Sequence, residues 1–109
     1  MKIYIAGRIL GQPNLNRGAF ADASVLITQA GHAPINPHEI CIDPANPTCL
    51  RKCITELIQC EAVVTLDGWE KSEIATLEVK IAQALGIKIL PLPAVRLLKT
   101  NTFEPVFGC

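Results

Sequence analysis

The sequence has no surplus of charge, few aromatic side chains and no long hydrophobic run. Its 109 residues carry ten basic and ten acidic side chains, so no net field attracts a nucleic-acid polymer or an anionic membrane. No apolar stretch has the length of a signal peptide or a membrane span. We therefore expect one globular cytoplasmic domain whose partner is a small molecule, not a nucleic acid or a membrane.

The five cysteines lack the CxxC pairs that many structural zinc sites use. Cys49, Cys53 and Cys60 share roughly one helical face, and with Cys41 or a histidine they offer a zinc site in principle. Small buried thiols are the commoner role of free cysteines, and we favour it. The odd count without a secretion signal favours reduced thiols over a disulfide framework. We expect no metal and no cofactor.

The hydrophobic pattern alternates between short apolar runs and helical periodicity. Strands are predicted at residues 3–7, 33–36, 62–66 and 87–92. Helices are predicted at residues 17–30, 48–59 and 73–85, with Asn16 and Ser72 as N-caps and a proline-rich loop at 37–47. Because the strands are apolar throughout, we expect a small doubly wound parallel sheet, Rossmann-like or flavodoxin-like, with four to five strands and helices on both faces.

The predicted helix at residues 73–85 carries a carboxylate on its apolar side. Six apolar side chains are expected to face the core: Ile74, Leu77, Ile81, Ala82, Ala84 and Leu85. Glu78 falls within this arc. A carboxylate buried without a partner costs several kcal/mol or becomes protonated. Glu78 therefore needs either a ligand nearby or a buried basic partner, for which the candidates are Arg8, Arg51 and Lys52.

Doubly wound sheets bind ligands beyond the carboxyl ends of their strands, where the strand order reverses. The loops expected there are AGRILGQ, residues 6–12, and DGWEKS, residues 67–72. Gly7 allows close backbone approach, and the helix that begins after Ser72 offers free amides to an anion or a sugar hydroxyl. AGRILG has neither the dinucleotide-binding nor the P-loop spacing. A glutamate beside such a crevice can attack the anomeric carbon of a bound sugar.

Several segments together resemble the nucleoside 2-deoxyribosyltransferase superfamily, especially its small phage and bacterial members of unassigned function. They are IYIAGRI, NRGAF, AGHAPINP, LRKCITELIQCEAVVTLDGW and SEIATLE, within residues 2 to about 92. The resemblance implies a deoxyribosyltransferase or N-hydrolase that acts on deoxynucleosides or their monophosphates. It matches Glu78 to the nucleophile that carries the glycosyl intermediate and Tyr4 to a tyrosine of the site. Ser72 stands where transferases carry an aspartate and the small members a serine.

Two positions depart from the pattern of that superfamily. Cys53 stands where the transferases place an aspartate that helps to protonate the leaving base, and a thiol replaces this acid poorly. Ile74 stands where a glycine is expected, four residues before the nucleophile. These departures leave open a nucleotide-binding module that has lost catalysis. A structural or interaction protein of phage origin, in which Glu78 forms an internal ion pair, is a third reading.

The two loops supply further candidates for substrate binding, each with a plainer alternative. Arg8 binds a 5′-phosphate or carboxylate, or is an exposed loop arginine. Asp67 binds sugar hydroxyls or replaces the missing acid, or forms a turn with Gly68. Trp69 stacks on a base, or packs over the mouth of the site. We assign no catalytic role to His38.

The C-terminal residues carry more apolar side chains than one small domain usually needs to cover a sheet edge. We divide the chain into a domain at residues 1–93 and a tail at 94–109, which packs on its own sheet edge or on a neighbouring subunit. Phe103, Phe107 and the run Val95–Leu98 favour the neighbour. A homodimer or a higher even oligomer is therefore expected, with the neighbour closing the crevice.

Overall fold

The computed structural model describes residues 1–41, 43 and 46–98. The strands within this part of the chain are β1 Lys2–Ala6, β2 Ala33–Ile35, β3 Ala62–Thr65 and β4 Lys88–Pro91. They form one sheet in the order β2-β1-β3-β4, and every neighbouring pair is parallel. The predicted doubly wound α/β fold is confirmed, because the strand order reverses between β1 and β3.

The helices cover both faces of the sheet. They are α1 Arg17–Gln29, α2 Pro37–Ile40, α3 Pro47–Leu57 and α4 Glu73–Ala84, with 3₁₀ turns at Pro13–Asn16, Trp69–Lys71 and Leu92–Leu97. Alternate residues of β1 point to opposite faces. Ile3 and Ile5 pack with α1 and the last 3₁₀ turn, whereas Tyr4 and Ala6 pack with α3 and α4. The face under α3 and α4 is the one that carries the candidate site.

The start of α1 differs from the prediction. Asn16 does not cap the helix, because its backbone is left-handed with φ at 59° and its side chain makes no capping hydrogen bond. Its Nδ2 instead donates to the Arg8 carbonyl oxygen at 2.9 Å. Asn14 and Leu15 are also left-handed, so this turn places the loop after β1. The periodicity of α1 is confirmed by the burial of Phe20, Ala23 and Ile27, which have no exposed surface.

The segment predicted as a proline-rich loop contains a short helix. Pro37 opens α2, and the Asn36 side chain accepts a hydrogen bond from the His38 amide at 2.9 Å. Asn46 caps α3 in the same way, with its side chain accepting from the Thr48 amide at 2.8 Å. The loop prediction is therefore wrong for residues 37–40, where the Asn-Pro pair begins a helical turn.

A disulfide joins the end of α2 to the first turn of α3. Cys41 and Cys49 are bonded, with their Cα atoms 5.2 Å apart. The expectation of reduced thiols is wrong for this pair, because two helix ends meet here and bring the residues within bridging distance. Cys53 and Cys60 are free and buried.

The buried face of α4 is shifted from the predicted arc. Ala75, Glu78, Val79 and Ala82 are buried. Leu77 is 43% exposed and Leu85 is 56% exposed, although both were expected to face the core. The helix turns its small side chains toward the sheet, which lets it lie close and brings Glu78 fully inside.

The described part of the predicted tail packs on the chain's own sheet. Val95 has no exposed surface and belongs to the same apolar cluster as Ile3 and Ile5. Phe103 and Phe107 lie outside the described residues. The division at residue 93 stays a prediction.

Candidate active site

A cavity of about 400 Å³ opens on the α3 and α4 side of the sheet. The end of β1 and the loop after it, the start of α2, the first turns of α3 and the first turns of α4 surround it. Its lining residues are Ile5, Gly7, Arg8, Ile9, Leu10, Pro37, His38, Cys41, Cys49, Leu50, Cys53, Lys71, Ser72, Glu73, Ile74 and Glu78. The position is the one expected for a ligand of a doubly wound sheet, and the volume suits a small molecule.

Glu78 is a buried carboxyl group at this cavity, with 4% of its surface exposed. The Tyr4 hydroxyl donates a hydrogen bond to its Oε2 at 2.5 Å. Burial raises the pKa of Glu78 to about 7, and the hydrogen bond from Tyr4 opposes this rise. Within the described ranges, no arginine or lysine forms an ion pair with Glu78. The ion pair with Arg8, Arg51 or Lys52 that the sequence allowed is therefore not formed among the described residues.

Tyr4 remains a hydrogen-bond donor at neutral pH. Burial raises the pKa of its hydroxyl above the ordinary value, and the charge of Glu78 raises it further. Tyr4 lies on β1 with no exposed surface, so its ring is fixed beneath the cavity by the strand and by the apolar side chains around it. A strand residue thus holds the carboxyl group of a helix residue in one orientation.

Cys53 lines the same cavity from α3. Its burial raises the pKa of the thiol, the nearby Tyr4 hydroxyl opposes this, and the charge of Glu78 adds to the rise. The thiol is therefore uncharged at neutral pH. An uncharged thiol of raised pKa is a weak proton donor, so the structure places a poor acid beside the Tyr4–Glu78 pair.

The first turn of α4 forms one wall of the cavity. The Ser72 Oγ accepts a hydrogen bond from the Ala75 amide at 3.1 Å, which confirms Ser72 as the N-cap. Ser72, Glu73 and Ile74 all line the cavity. Ile74 thus lines the site at the position where the resemblance to the transferase superfamily predicts a glycine.

Gly7 is required by packing within the protein. A Cβ at this position would lie 2.9 Å from Leu66 Cδ1 and 3.0 Å from Leu66 Cβ. Gly7 also lines the cavity, so the residue after β1 both forms part of the cavity wall and contacts Leu66, the residue after β3. The close contact that the structure shows at Gly7 is with a leucine side chain of the protein, and the predicted approach of a ligand to Gly7 stays a prediction.

Two basic side chains, Arg8 and Lys71, line the cavity. The Arg8 side chain folds over Gly68, whose φ is 79°, and a Cβ at Gly68 would lie 3.3 Å from Arg8 Cδ. Asn16 holds the Arg8 backbone. Neither basic group has an ion-pair partner among the described residues. Both charges are thus available to an anionic ligand.

Three predicted binding residues lie outside the cavity lining. Asp67 is exposed, Gly68 contacts Arg8, and Trp69 is half-buried against the apolar cluster that contains Tyr4. The structure brings together Glu78, Ser72, Gly7 and Arg8 at the cavity, with Tyr4 directly behind Glu78. It does not bring Asp67 or Trp69 to the lining, and their part in substrate binding stays a prediction.

His38 lines the cavity, although the sequence analysis assigned it no catalytic role. Its Nε2 is buried without a hydrogen-bond partner in the described part of the chain. Its ring packs edge-on against Phe20, with ring centroids 4.9 Å apart. Burial lowers the pKa of His38, and the charge of Arg17 lowers it further. The signal that could have found it is its place shortly after β2, at the edge of the sheet where doubly wound folds bind ligands.

Neither a metal site nor a membrane helix is found in the described residues. No cluster of three or more histidine, cysteine, aspartate or glutamate side chains is arranged to hold a metal ion there. No helix in the same ranges combines the length and apolar composition needed to cross a bilayer.

The fold and the cavity define an α/β domain with a buried glutamate at a ligand crevice. The chain belongs to the family described as "Domain of unknown function (DUF4406)", whose model matches residues 1–91. A similar solved structure is a 2-deoxyribosyltransferase from the psychrotolerant bacterium Bacillus psychrosaccharolyticus. It has a TM-score of 0.64 and 15% identity over 83% of this chain and 71% of the other. This likeness shows the shared fold. No curated protein sequence matches the chain.

Proposed function

We propose that the protein is an N-glycosidic-bond enzyme, a deoxyribosyltransferase or N-hydrolase acting on deoxynucleosides or their monophosphates. The observation that carries this proposal is the Tyr4–Glu78 pair, a buried carboxyl group oriented by a hydroxyl at the edge of a small-molecule cavity. The fold shared with a 2-deoxyribosyltransferase supports the same class of chemistry.

In the proposed reaction, ionised Glu78 attacks C1′ of the sugar. A bond forms between a carboxylate oxygen and C1′ as the bond from C1′ to the base nitrogen breaks, and the base leaves with the electron pair and takes up a proton. A second base or water then attacks C1′ and releases Glu78. Burial raises the pKa of Glu78 to about 7, so the ionised nucleophile increases as the pH rises through the neutral range.

The other candidate residues bind and position the substrate in this proposal. Tyr4 and Ser72 hold Glu78 and the sugar. Arg8 supplies positive charge for a 5′-phosphate, and the contact between Arg8 and Gly68 sets its direction. Gly7 forms the floor, while Asp67 and Trp69 come into contact with the base or sugar only if the loop at 67–71 closes over the cavity.

A second candidate function is a nucleotide-binding module without catalysis. The observation in its favour is that Cys53 and Ile74 both face the cavity. The uncharged thiol gives little help to a leaving base, and the isoleucine side chain occupies space beside the nucleophile. The module and the enzyme share ligand binding and differ only in turnover.

The deciding experiment is an assay for free base with a panel of deoxynucleosides and their monophosphates. We expect base release by the wild-type protein and none by Glu78→Gln, because the amide cannot form the glycosyl ester. Glu70→Gln is the matched control, since Glu70 is exposed and lies outside this cavity. Ligand binding without base release by wild type supports the module, and equal turnover in wild type and Glu78→Gln rejects the glutamate mechanism.

We also propose an even-numbered homo-oligomer in the cytoplasm. The exposed Leu77 and Leu85 support the oligomer, because these two apolar side chains leave a strip along the middle and the end of α4 uncovered. A partner packed on this strip would remove both leucine side chains from water.

A further inference from the structure

The Cys41–Cys49 disulfide lies in the wall of the cavity that contains Glu78. Both cysteines line the cavity, and Cys41 also belongs to the apolar cluster around Tyr4 and Cys53. The bond ties the residue after α2 to the first turn of α3. Cutting it would leave this part of the wall held mainly by the Asn46 cap and by the contacts between the two helices.

We propose that Cys41 and Cys49 form a reversible redox-modification site, whose disulfide holds the cavity wall in the form that binds ligand. Ligand binding then requires no ordering of the wall, because the bond has already ordered it. In the dithiol form the first turn of α3 is released, and binding must restore its position. Oxidation therefore strengthens ligand binding and reduction weakens it.

The redox step is thiol–disulfide exchange with a small disulfide such as oxidised glutathione. One cysteine thiolate attacks the external disulfide, forms a mixed disulfide and releases one glutathione thiolate. The second cysteine then attacks the mixed disulfide, forms the Cys41–Cys49 bond and releases the other glutathione. Two electrons pass from the protein thiols to the external disulfide, and the protons of the protein thiols end on the glutathione thiols. A dithiol reductant reverses the exchange.

A third cysteine near the bond stays out of this exchange. Cys53 lines the same cavity one helical turn after Cys49, but its burial raises the pKa of its thiol. Because the thiolate is the attacking species, Cys53 attacks the neighbouring disulfide slowly. Cys53 is also only 6% exposed, so its alkylation reports whether the wall is closed.

The first test measures the wall without any nucleoside, and so does not depend on the proposed function. In the background C60S/C109S, Cys53 is the only free thiol once the disulfide has formed. After treatment with oxidised glutathione we expect a mass about 2 Da below that of the reduced protein. We expect iodoacetamide to label Cys53 about ten-fold faster in the C41S/C49S/C60S/C109S variant or after reduction of the background protein. Failure to form the bond, or equal labelling rates, overturns the proposal.

The second test measures binding of deoxyadenosine and deoxyadenosine monophosphate by calorimetry. We expect the Kd to rise about three- to ten-fold on reduction of the wild-type protein and in C41S/C49S. The Cys60→Ser variant is the control, because Cys60 lies outside the cavity lining, and its Kd should respond to reduction as the wild type does. Binding that does not change on reduction overturns the proposal. If neither compound binds in either state, the proposed function fails, and the labelling rates alone decide the redox site.

Discussion

Tyr4 donates a hydrogen bond of 2.5 Å to Glu78, which joins the first strand to the fourth helix through two buried polar groups. The two residues are 74 positions apart in the chain. The contact therefore forms only when the sheet and α4 have assembled, and it then holds the carboxyl group at the cavity. Its energetic consequences are measurable in both stability and activity.

The first prediction concerns stability and pH. The pKa of Glu78 rises from its ordinary value of 4.5 to about 7 on folding, so between these pH values the folded state binds a proton that the unfolded state has released. The contribution of Glu78 to stability therefore falls as pH rises from about 4.5 to about 7, by on the order of 2–3 kcal/mol. Glu78→Gln should remove this loss and be more stable than wild type at pH 8. Chemical denaturation of both proteins from pH 4.5 to 8.5 measures it.

The control for that measurement is Glu70→Gln, whose difference from wild type should show no comparable change across this window. A Glu78→Gln protein that is less stable than wild type at pH 8 would contradict the prediction. It would indicate an ionised carboxylate stabilised by a positive partner.

The second prediction concerns Tyr4→Phe. The hydrogen bond from Tyr4 lowers the pKa of Glu78, so its removal should raise that pKa further. If Glu78 is the nucleophile, the rate of base release rises as Glu78 ionises, and its midpoint should move to higher pH in the variant. A pH profile of kcat/KM for the two proteins is the measurement. A lower rate at every pH with an unchanged midpoint would mean that Tyr4 acts on the substrate instead.

The third prediction uses the two departures from the superfamily pattern. Cys53→Asp with Ile74→Gly should increase base release if the chain is a weakened enzyme, because the pair restores an acid and space beside Glu78. Ile74 is the second residue of α4, so the glycine should cost less than the ~1 kcal/mol of a helix interior. A folded variant that binds nucleotide with no increase in turnover would favour the binding module.

The fourth prediction concerns the floor of the cavity. Gly7→Ala should lower the free energy of unfolding by about 1–3 kcal/mol, because the new Cβ collides with Leu66. Leu66→Ala in the same chain should recover part of this loss, which a double-mutant cycle measures. Gly18→Ala is the matched control: nothing lies within 4 Å of its Cβ position and it stands in α1, so it should stabilise by up to about 1 kcal/mol.

The fifth prediction concerns assembly. Light scattering at micromolar concentration should give a mass that is an even multiple of the 11.8 kDa chain. Leu77→Glu with Leu85→Glu should lower that mass, because charges would replace the exposed apolar strip on α4. A wild-type mass of one chain would reject the oligomer.

Most of the fold follows from local patterns in the sequence. The apolar runs at β1 and β3 predict buried parallel strands, and the spacing of Phe20, Ala23 and Ile27 predicts the core face of α1. Ser72 and Gly86 mark the ends of α4 because an N-cap hydroxyl and a left-handed glycine act locally. These signals do not depend on what the chain packs against.

Local patterns in the sequence do not determine which face of a helix packs against the sheet. The hydrophobicity of α4 places Leu77 and Leu85 inside, whereas the sheet takes the side with Ala75, Val79 and Ala82, since small residues allow a closer approach. The Cys41–Cys49 bond likewise depends on two helix ends that meet only in the folded chain. Glu78 could be found from the sequence because it lies on the core side of α4 in both the predicted and the observed orientation of the helix.

The contact between Gly7 and Leu66 limits how the specificity of this pocket can be changed by engineering or by evolution. Any side chain added at residue 7 must displace Leu66, the residue after β3, so substrate preference cannot be altered at residue 7 separately from folding. Cys53 and Ile74 line the cavity from α3 and α4, where a different side chain changes the shape of the pocket without displacing Leu66. A library directed at those two positions should therefore yield folded proteins with different ligands, whereas one directed at residue 7 should yield mainly destabilised protein.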